Sequence, residues 1–249
     1  MDLQAILPAY LPVSLEEMDG IRLMNRTDTK FVTSLDKLKL LLRYADADYR
    51  VQQVANERNL AYHTVYLDTP GCAMYLAHQN GRKVREKIRV RTYISSGLTF
   101  LEVKNKDNRG RTDKKRIPVD DIHSLQSGQV ETFLQRHAWY SLSELDPQLE
   151  NDFRRITLVN KAFTERLTID TQVRFHNLNT GQSASLDNLA IIELKRDGRS
   201  HSPICELLRN LHVKPMGISK YCTGLALTTP TIKRNQFKPK LIAVNHIQR

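Results

Sequence analysis

The chain has 249 residues, 40% hydrophobic and 26% charged, with 38 lysines and arginines against 27 acids and a formal net charge of +11. That mix is globular material long enough for one sizeable core, and the cationic excess favours an anionic partner: nucleic acid, anionic lipid or phosphorylated molecules. Three widely spaced cysteines, Cys72, Cys205 and Cys222, with no CxxC pair, point away from a disulfide framework or zinc site and fit a reducing cytosol.

No basic leader precedes an apolar run in MDLQAILPAYLPVSLEEMDG, so no signal peptide is expected. No segment approaches the roughly 20 apolar residues of a spanning helix. The expected location is the cytoplasm, with a basic surface able to rest peripherally at the inner face of a membrane.

In chain order, SLDKLKLLLRYA (34–45) sets Leu35, Leu38, Leu41 and Leu42 at helical spacing behind Ser34 as N-cap. Period-two patterning follows in YRVQQV, AYHTVYLDT, EKIRVRTY, LTFLEVKNK and TDKKRIPV, separated by the turn material NGRK, SSG and NRGR. Residues 120–150, with Asp120 or Asp121 as a cap and Pro147 near the end, predict helices ending in a loop. RRITLVNK, ERLTIDTQVRF and LAIIELKRD are three more strands, and SPICELLRNLH is a helix with Pro203 in its first turn. PMGISKYCTGLAL reads as a short helix, and the basic tail TIKRNQFKPKLIAVNHIQR as partly ordered at best. The fold class is α+β, an antiparallel barrel or strongly curved sheet with helices packed outside, in a single domain over 1–249.

REKIRVRTY (85–93) places Arg85, Lys87, Arg89 and Arg91 on alternate positions, opposite Ile88 and Val90. Same-face neighbours on a strand stand roughly 6.6 Å apart, so these cations repel along one line. Other strands repeat the division: Glu102, Lys104 and Lys106 oppose Leu101 and Val103; Arg166, Thr168 and Asp170 oppose Leu167 and Ile169; Glu193 and Lys195 oppose Ile192 and Leu194. One such strand alone is an ordinary solvent-facing antiparallel strand. Together they form a dense cationic face with sparse acids. Closing the sheet with that face inward makes a polar tunnel whose self-repulsion is relieved by a polyanion, and arginine's planar fork suits phosphate oxygens.

A groove that merely binds phosphate gains nothing from Glu102 or Glu193 unless a divalent cation bridges carboxylate and phosphate. Mg2+ or Mn2+ takes such ligands and offsets charge on a transferring phosphoryl group. A salt bridge such as Glu102 with Lys104 is the plainer alternative. A nucleic-acid partner is not expected, since stacking aromatics do not alternate with the basics and only Tyr93 is a candidate. No P-loop or Rossmann glycine signature occurs, and the histidines show no metal spacing, His78 standing apart only because it opens the arginine-rich block. Asp68, in DTP, reads as a turn cap. Taken alone, Lys220 reads as a helix-surface lysine, and Arg155 as a partner for Asp152.

The blocks RTDTKF (26–31), YLDTP (66–70), HQNGRKVREKIRVRTY (78–93), FLEVKNK (100–106), KKR (114–116), FRR (153–155), ERLTID (165–170), IIELK (191–195) and GISKYC (217–222) resemble, in this order, those of the vacuolar transporter chaperone (VTC) domain. That domain belongs to the CYTH-like triphosphate tunnel metalloenzymes. The resemblance spans most of residues 21–227, leaving 228–249 as a tail. It implies an antiparallel eight-stranded β-barrel tunnel and a metal-dependent polyphosphate polymerase that moves the γ-phosphate of ATP onto inorganic polyphosphate. The alternatives are an inorganic or nucleoside triphosphatase of the same fold and a non-catalytic polyphosphate-binding protein.

By position, the resemblance implies that Lys30, Arg89, Arg91, Lys104, Lys114, Arg155, Arg166 and Lys220 hold phosphate, with Arg85 and Lys87 as further contacts; the cationic strand face adds Lys195 as an expected phosphate contact. It places a metal on Glu193; the sparse acids of the cationic face add Glu102 as a second expected metal ligand. Two departures stand out. The family's N-terminal acid pair appears as Arg26-Thr27-Asp28-Thr29-Lys30, which fits polyphosphate holding better than hydrolysis, and Gly217 replaces a lysine of some relatives. The SPX and transmembrane parts that accompany this domain in eukaryotes are not seen, so product translocation would require a separate membrane-protein partner.

Overall fold

The structure is a computed structural model, described over residues 3–19, 26–198 and 201–248. Its strands are β1 (Leu11–Val13), β2 (Arg26–Ser34), β3 (Tyr49–Gln52), β4 (Leu60–Asp68), β5 (Arg85–Tyr93), β6 (Leu98–Lys106), β7 (Thr112–Pro118), β8 (Asp146–Asn160), β9 (Glu165–Asn177), β10 (Ser183–Leu186) and β11 (Leu189–Asp197). Its helices are α1 (Leu15–Asp19), α2 (Leu35–Ala45), α3 (Ala73–Gln79), α4 (Gly128–His137), α5 (Pro203–Asn210), α6 (Lys220–Thr228) and α7 (Lys238–Gln248).

Eight strands run antiparallel in the path β2-β11-β9-β8-β4-β5-β6-β7, with β10 added to β9, β3 to β8, and β1 parallel to β3. Among the described residues no ladder joins β2 to β7, so the expected barrel is not closed by hydrogen bonds. The sheet nevertheless curls far enough for Lys104 on β6 to feel the charges of Glu193 on β11 and Lys30 on β2, from opposite ends of the path. Loop residues 215–219 link the two sides. Met216 N donates to the Lys30 carbonyl (2.8 Å), Phe31 bridges Pro215, and Ser219 Oγ accepts from Lys87 Nζ (2.9 Å).

The outward apolar face is covered by helices, as the strand patterning predicts. Leu38, Leu41 and Leu42 of α2 and Ile204 and Leu208 of α5 pack on Ile156, Leu158, Leu167, Ile169, Ile192 and Leu194. Val130, Phe133 and Leu134 of α4 cover Ile88, Val90, Leu101 and Val103. Ser34 and Ser202 cap α2 and α5 through bonds from Lys37 N and Cys205 N.

The inward face is not polar throughout. At one end Tyr66, Leu149, Val173, Phe175 and Ile191 form a second core with Tyr221, Cys222 and Leu225 of α6, Tyr75 of α3, and Val244 of α7. A helix apolar on most sides must be buried on most sides. Helix α6 plugs this end. The tail is therefore ordered through Gln248, because Phe237, Leu241, Val244 and Ile247 dock into the same core.

Residues 120–150 depart from expectation. Ser127 rather than an aspartate caps the single helix α4, while Asp121 accepts from His123 N and Ser124 N in a 3-10 turn. Pro147 lies inside β8 rather than in a loop, near its start and beside a register shift in the β4 pairing, where a missing N–H is tolerated. Asp68 is a cap, as read: it accepts from Met74 N (2.9 Å) and Tyr75 N (3.0 Å) at the start of α3 and from Tyr221 Oη (2.6 Å).

Candidate active site, a cation-lined groove

Strand register puts the charged residues side by side. Arg85 stands opposite Lys106, Lys87 opposite Lys104, and Arg89 opposite Glu102; Lys104 then faces Lys114 on the next strand. Across the curl, Glu193 stands opposite Lys30, and Lys195 lies between Asp28 and Arg166. Asp170 stands opposite Arg155.

Three carboxylates organise the cations. Glu102, 2% exposed, accepts from Arg89 Nη2 (2.6 Å) and Nε (2.7 Å) and pairs with Lys114. Burial works to raise its pKa, but Arg89, Arg91 and Lys114 hold it down at about 2. Glu193 pairs with Lys30 (3.0 Å) and Lys195 (2.8 Å), and these cations outweigh burial and keep it well below the usual carboxylate range. Asp170 holds Arg155 through two bonds (2.6 and 2.8 Å) and also pairs with Lys220 from the start of α6; again the cations overcome burial and depress its pKa.

Beneath part of the groove lies an aromatic floor. Tyr62 and Phe153 stack at 5.1 Å and 11°. The guanidinium of Arg91 sits 5.6 and 5.4 Å from these rings, that of Arg155 5.3 Å from each, and Lys220 Nζ 4.3 Å from Phe153. Such faces hold cations without neutralising them.

The groove's cations outnumber its fixed counter-charges. Burial lowers the Arg91 pKa to about 10, helped by Arg89 and Arg155. It lowers Lys104 to about 8, with Glu193 opposing and Lys30 and Arg89 adding, and Lys220 to about 8 despite Asp170. Lys87 and Lys114 are lowered by burial too. Cations whose charge is this unfavourable regain stability when an anion enters.

The sequence-predicted residues fall into place unequally. Lys30, Lys87, Arg89, Arg91, Lys104, Lys114, Arg155, Lys195 and Lys220 come together around the three carboxylates, and Arg166 lies beside Lys195 on the same face. Lys220 is not a surface lysine, nor is Asp152 the partner of Arg155; Asp152 pairs with His63 at 2.7 Å. Arg85 lies towards α3, where burial and then Lys87, Arg85, Lys240 and Lys106 press His78 down to about 3, so that histidine is neutral. The aromatic floor went unread, although Tyr62, Thr64 and Tyr66 alternate on the same face as Arg91 and Arg89.

A family model described as the VTC domain matches residues 25–229. The chain belongs to the VTC domain family. No curated protein matches it. Among solved structures, a putative adenylate cyclase from Bacillus halodurans aligns at TM-score 0.49 and 14% identity, covering 79% of this chain and 96% of that one. A putative adenylyl cyclase from Hippeastrum, described as having a dominant triphosphatase activity, aligns at 0.47 and 13%, over 82% and 97%. A protein from Pyrococcus horikoshii OT3 aligns at 0.45 and 13%, over 79% and 98%.

Whether this VTC domain suits a divalent cation turns on its carboxylates. Among the described residues no three His, Cys, Asp or Glu side chains cluster. Glu102, expected as a metal ligand, does not fit: its buried carboxylate is closed off by Arg89 and Lys114 rather than salt-bridged to Lys104. Glu193 does fit. It and Asp28 each lie 2.8 Å from the Lys195 ammonium, so two carboxylates already share one cation. Mg2+-type sites take one or two carboxylates plus substrate phosphates. Asp28 belongs to the altered N-terminal block Arg26-Thr27-Asp28-Thr29-Lys30; the side chain of Arg26 lies outside the described residues.

Proposed function

We propose that this VTC domain is a metal-dependent polyphosphate polymerase that transfers the γ-phosphate of ATP to an inorganic polyphosphate chain lying in the groove. The observation that carries this reading is the unbalanced cation row from Lys104 and Lys114 past Arg89 and Arg91 to Arg155 and Lys220. A single bound phosphate would leave most of that row unmatched, whereas a chain of phosphates matches it.

Arg89, Arg91 and Arg155, fixed by carboxylates or aromatic faces, orient phosphate oxygens, and Lys30, Lys104 and Lys220 donate to the same oxygens. Arg85, Lys87, Lys114, Arg166 and Lys195 extend the binding row. Glu193 with Asp28 would hold Mn2+ or Mg2+, which supplies charge neutralisation on the transferring group when bound. The acceptor is a terminal oxygen of the polyphosphate chain, so no serine, cysteine or histidine nucleophile is needed. Catalysis is then positioning plus electrostatic stabilisation. No helix among the described residues is long and apolar enough to cross a membrane; a membrane-protein partner that exports the product is part of this proposal. The free cysteines accord with a cytoplasmic site of action.

The test is to incubate the purified protein with ATP and Mn2+ and separate long polyphosphate from orthophosphate. Long chains support the polymerase, orthophosphate alone makes the protein a triphosphatase, and turnover of neither makes it a binding protein. Tighter binding of generic single-stranded DNA than of tripolyphosphate would overturn the whole phosphate-chain reading.

A further inference from the structure

The chain contains one tryptophan, Trp139, and it is 52% exposed. Its backbone is tightly held. Trp139 N donates to both carboxylate oxygens of Glu86 (3.1 Å each), and Asn105 Nδ2 donates to the His137 carbonyl (2.8 Å). Glu86 is 1% exposed and lies on β5 between Arg85 and Lys87, while Asn105 lies on β6 between Lys104 and Lys106. From their outward face, opposite the cations, the two strands that carry the densest cation rows therefore fix the position of an indole whose ring remains open.

Trp139 lines a cavity of about 320 Å³ together with Val84, Asn105, Lys106, Arg111 and two acids, Asp107 and Asp113. The cavity sits at the rim, where the Arg85–Lys106 rung begins the β5–β6 ladder. Lys106 belongs to it and to the groove face at once, one same-face step of roughly 6.8 Å from Lys104. Its chemistry differs from the groove's. An aromatic face and Val84 supply a flat apolar wall, an amide and two carboxylates supply edge partners, and the carboxylates disfavour a bare phosphate.

We propose that this rim cavity is a nucleobase site that stacks the purine of an adenine nucleotide on Trp139, with the ribose and phosphates passing over Lys106 towards Lys104. The proposal rests on the reading of the groove as a triphosphate site. It adds what that reading lacks, a reason for the protein to distinguish a nucleotide donor from inorganic tripolyphosphate. Base–aromatic stacking contributes about 1–3 kcal/mol, which corresponds to roughly 5- to 150-fold in affinity.

A single tryptophan makes the test direct. ATP and tripolyphosphate are titrated separately into the full chain, following both calorimetric binding and tryptophan fluorescence. The expected result is that both bind, that ATP alone quenches the fluorescence, and that Trp139→Ala weakens ATP about tenfold without a matching loss for tripolyphosphate. Trp139→Phe, which keeps a stacking face, restores part of the ATP affinity. Because the ring is exposed, neither variant removes core packing. Binding of ATP without quenching, or equal weakening of both ligands in Trp139→Ala, overturns the nucleobase site while leaving the phosphate groove standing. Failure of both ligands to bind the unaltered protein overturns the groove reading and the nucleobase site together.

Discussion

Asp170 and Lys220 meet inside the groove, tying strand β9 to the first residue of the plugging helix α6. Because Asp170 also holds Arg155 through both carboxylate oxygens, one buried acid positions two groove cations from different elements. Asp170→Asn keeps the shape but leaves both cations without a counter-charge. Removing one member of a buried pair costs about 3–5 kcal/mol. Urea denaturation is expected to show a loss of this size, and tripolyphosphate to recover part of it by supplying the missing negative charge. The acid's depressed pKa fixes the sign with pH: its contribution is complete above the ordinary aspartate value of 3.8 and is lost as pH falls from there through the lower folded-state value. An Asp170→Asn protein as stable as the parent would show that the triad does not hold the groove together.

The acids and arginines should separate kinetically. Glu193→Ala removes the proposed metal ligand but no phosphate-binding cation, so metal-dependent turnover is expected to disappear while polyphosphate affinity stays within a few-fold of the parent. Arg89→Ala and Arg91→Ala remove charged hydrogen-bond donors worth about 1.5–3 kcal/mol each, so binding weakens roughly tenfold to a hundredfold and turnover falls with it. Calorimetric titration beside a turnover assay reads both quantities. Retained Mn2+-dependent turnover in Glu193→Ala would remove the metal from that carboxylate.

If the proposed groove binds phosphate chains, Lys104 and Lys220 are expected to make that binding sensitive to pH above neutrality. Both are held at about 8 in the free groove, by burial first and then by neighbouring cations, against an ordinary value of 10.5. A bound polyanion favours their charged forms and raises both values. Affinity for tripolyphosphate is therefore expected to fall between about pH 7 and about pH 9, with protons taken up on binding near pH 8. Calorimetry in buffers of different ionisation enthalpy measures that uptake. Affinity flat across the window, with no proton uptake, would mean that these lysines do not touch the ligand.

Much of the groove was legible because strand periodicity labels a face. Once Arg85, Lys87, Arg89 and Arg91 share one side, Ile88 and Val90 must share the other, and the helix covering them is required by burial. The plug was harder to see. Leu149, Val173, Phe175 and Ile191 continue the same inward faces, but their apolar partner arrives from α6 and α7, far along the chain. Local pattern also could not assign partners among like charges. Glu102 chooses Arg89 and Lys114 across two ladders rather than Lys104 along its own strand, a choice made by register and curl. Strand β2 escaped the period-two reading because RTDTKFVTS carries only Phe31 and Val32 as large apolar residues.

The plug itself yields the last prediction, at Gly224 in the middle of α6. A Cβ built there would stand 2.5 Å from Leu149 Cδ2 and 2.6 Å from Phe175 Cδ1, closer than side chains pack. Overpacking a core costs about 1–3 kcal/mol, while replacing a mid-helix glycine by alanine returns at most about 1 kcal/mol. Gly224→Ala is therefore expected to destabilise the fold by roughly 1–2 kcal/mol, a sign opposite to helix propensity alone. Because the strain pushes α6 away from β8 and β9, it also displaces Lys220 from Asp170, so tripolyphosphate affinity should fall although no groove residue has changed. Denaturation and titration of the same variant test the two effects together. A Gly224→Ala protein more stable than the parent, with full affinity, would show that α6 lies loosely on these strands and does not set the position of Lys220.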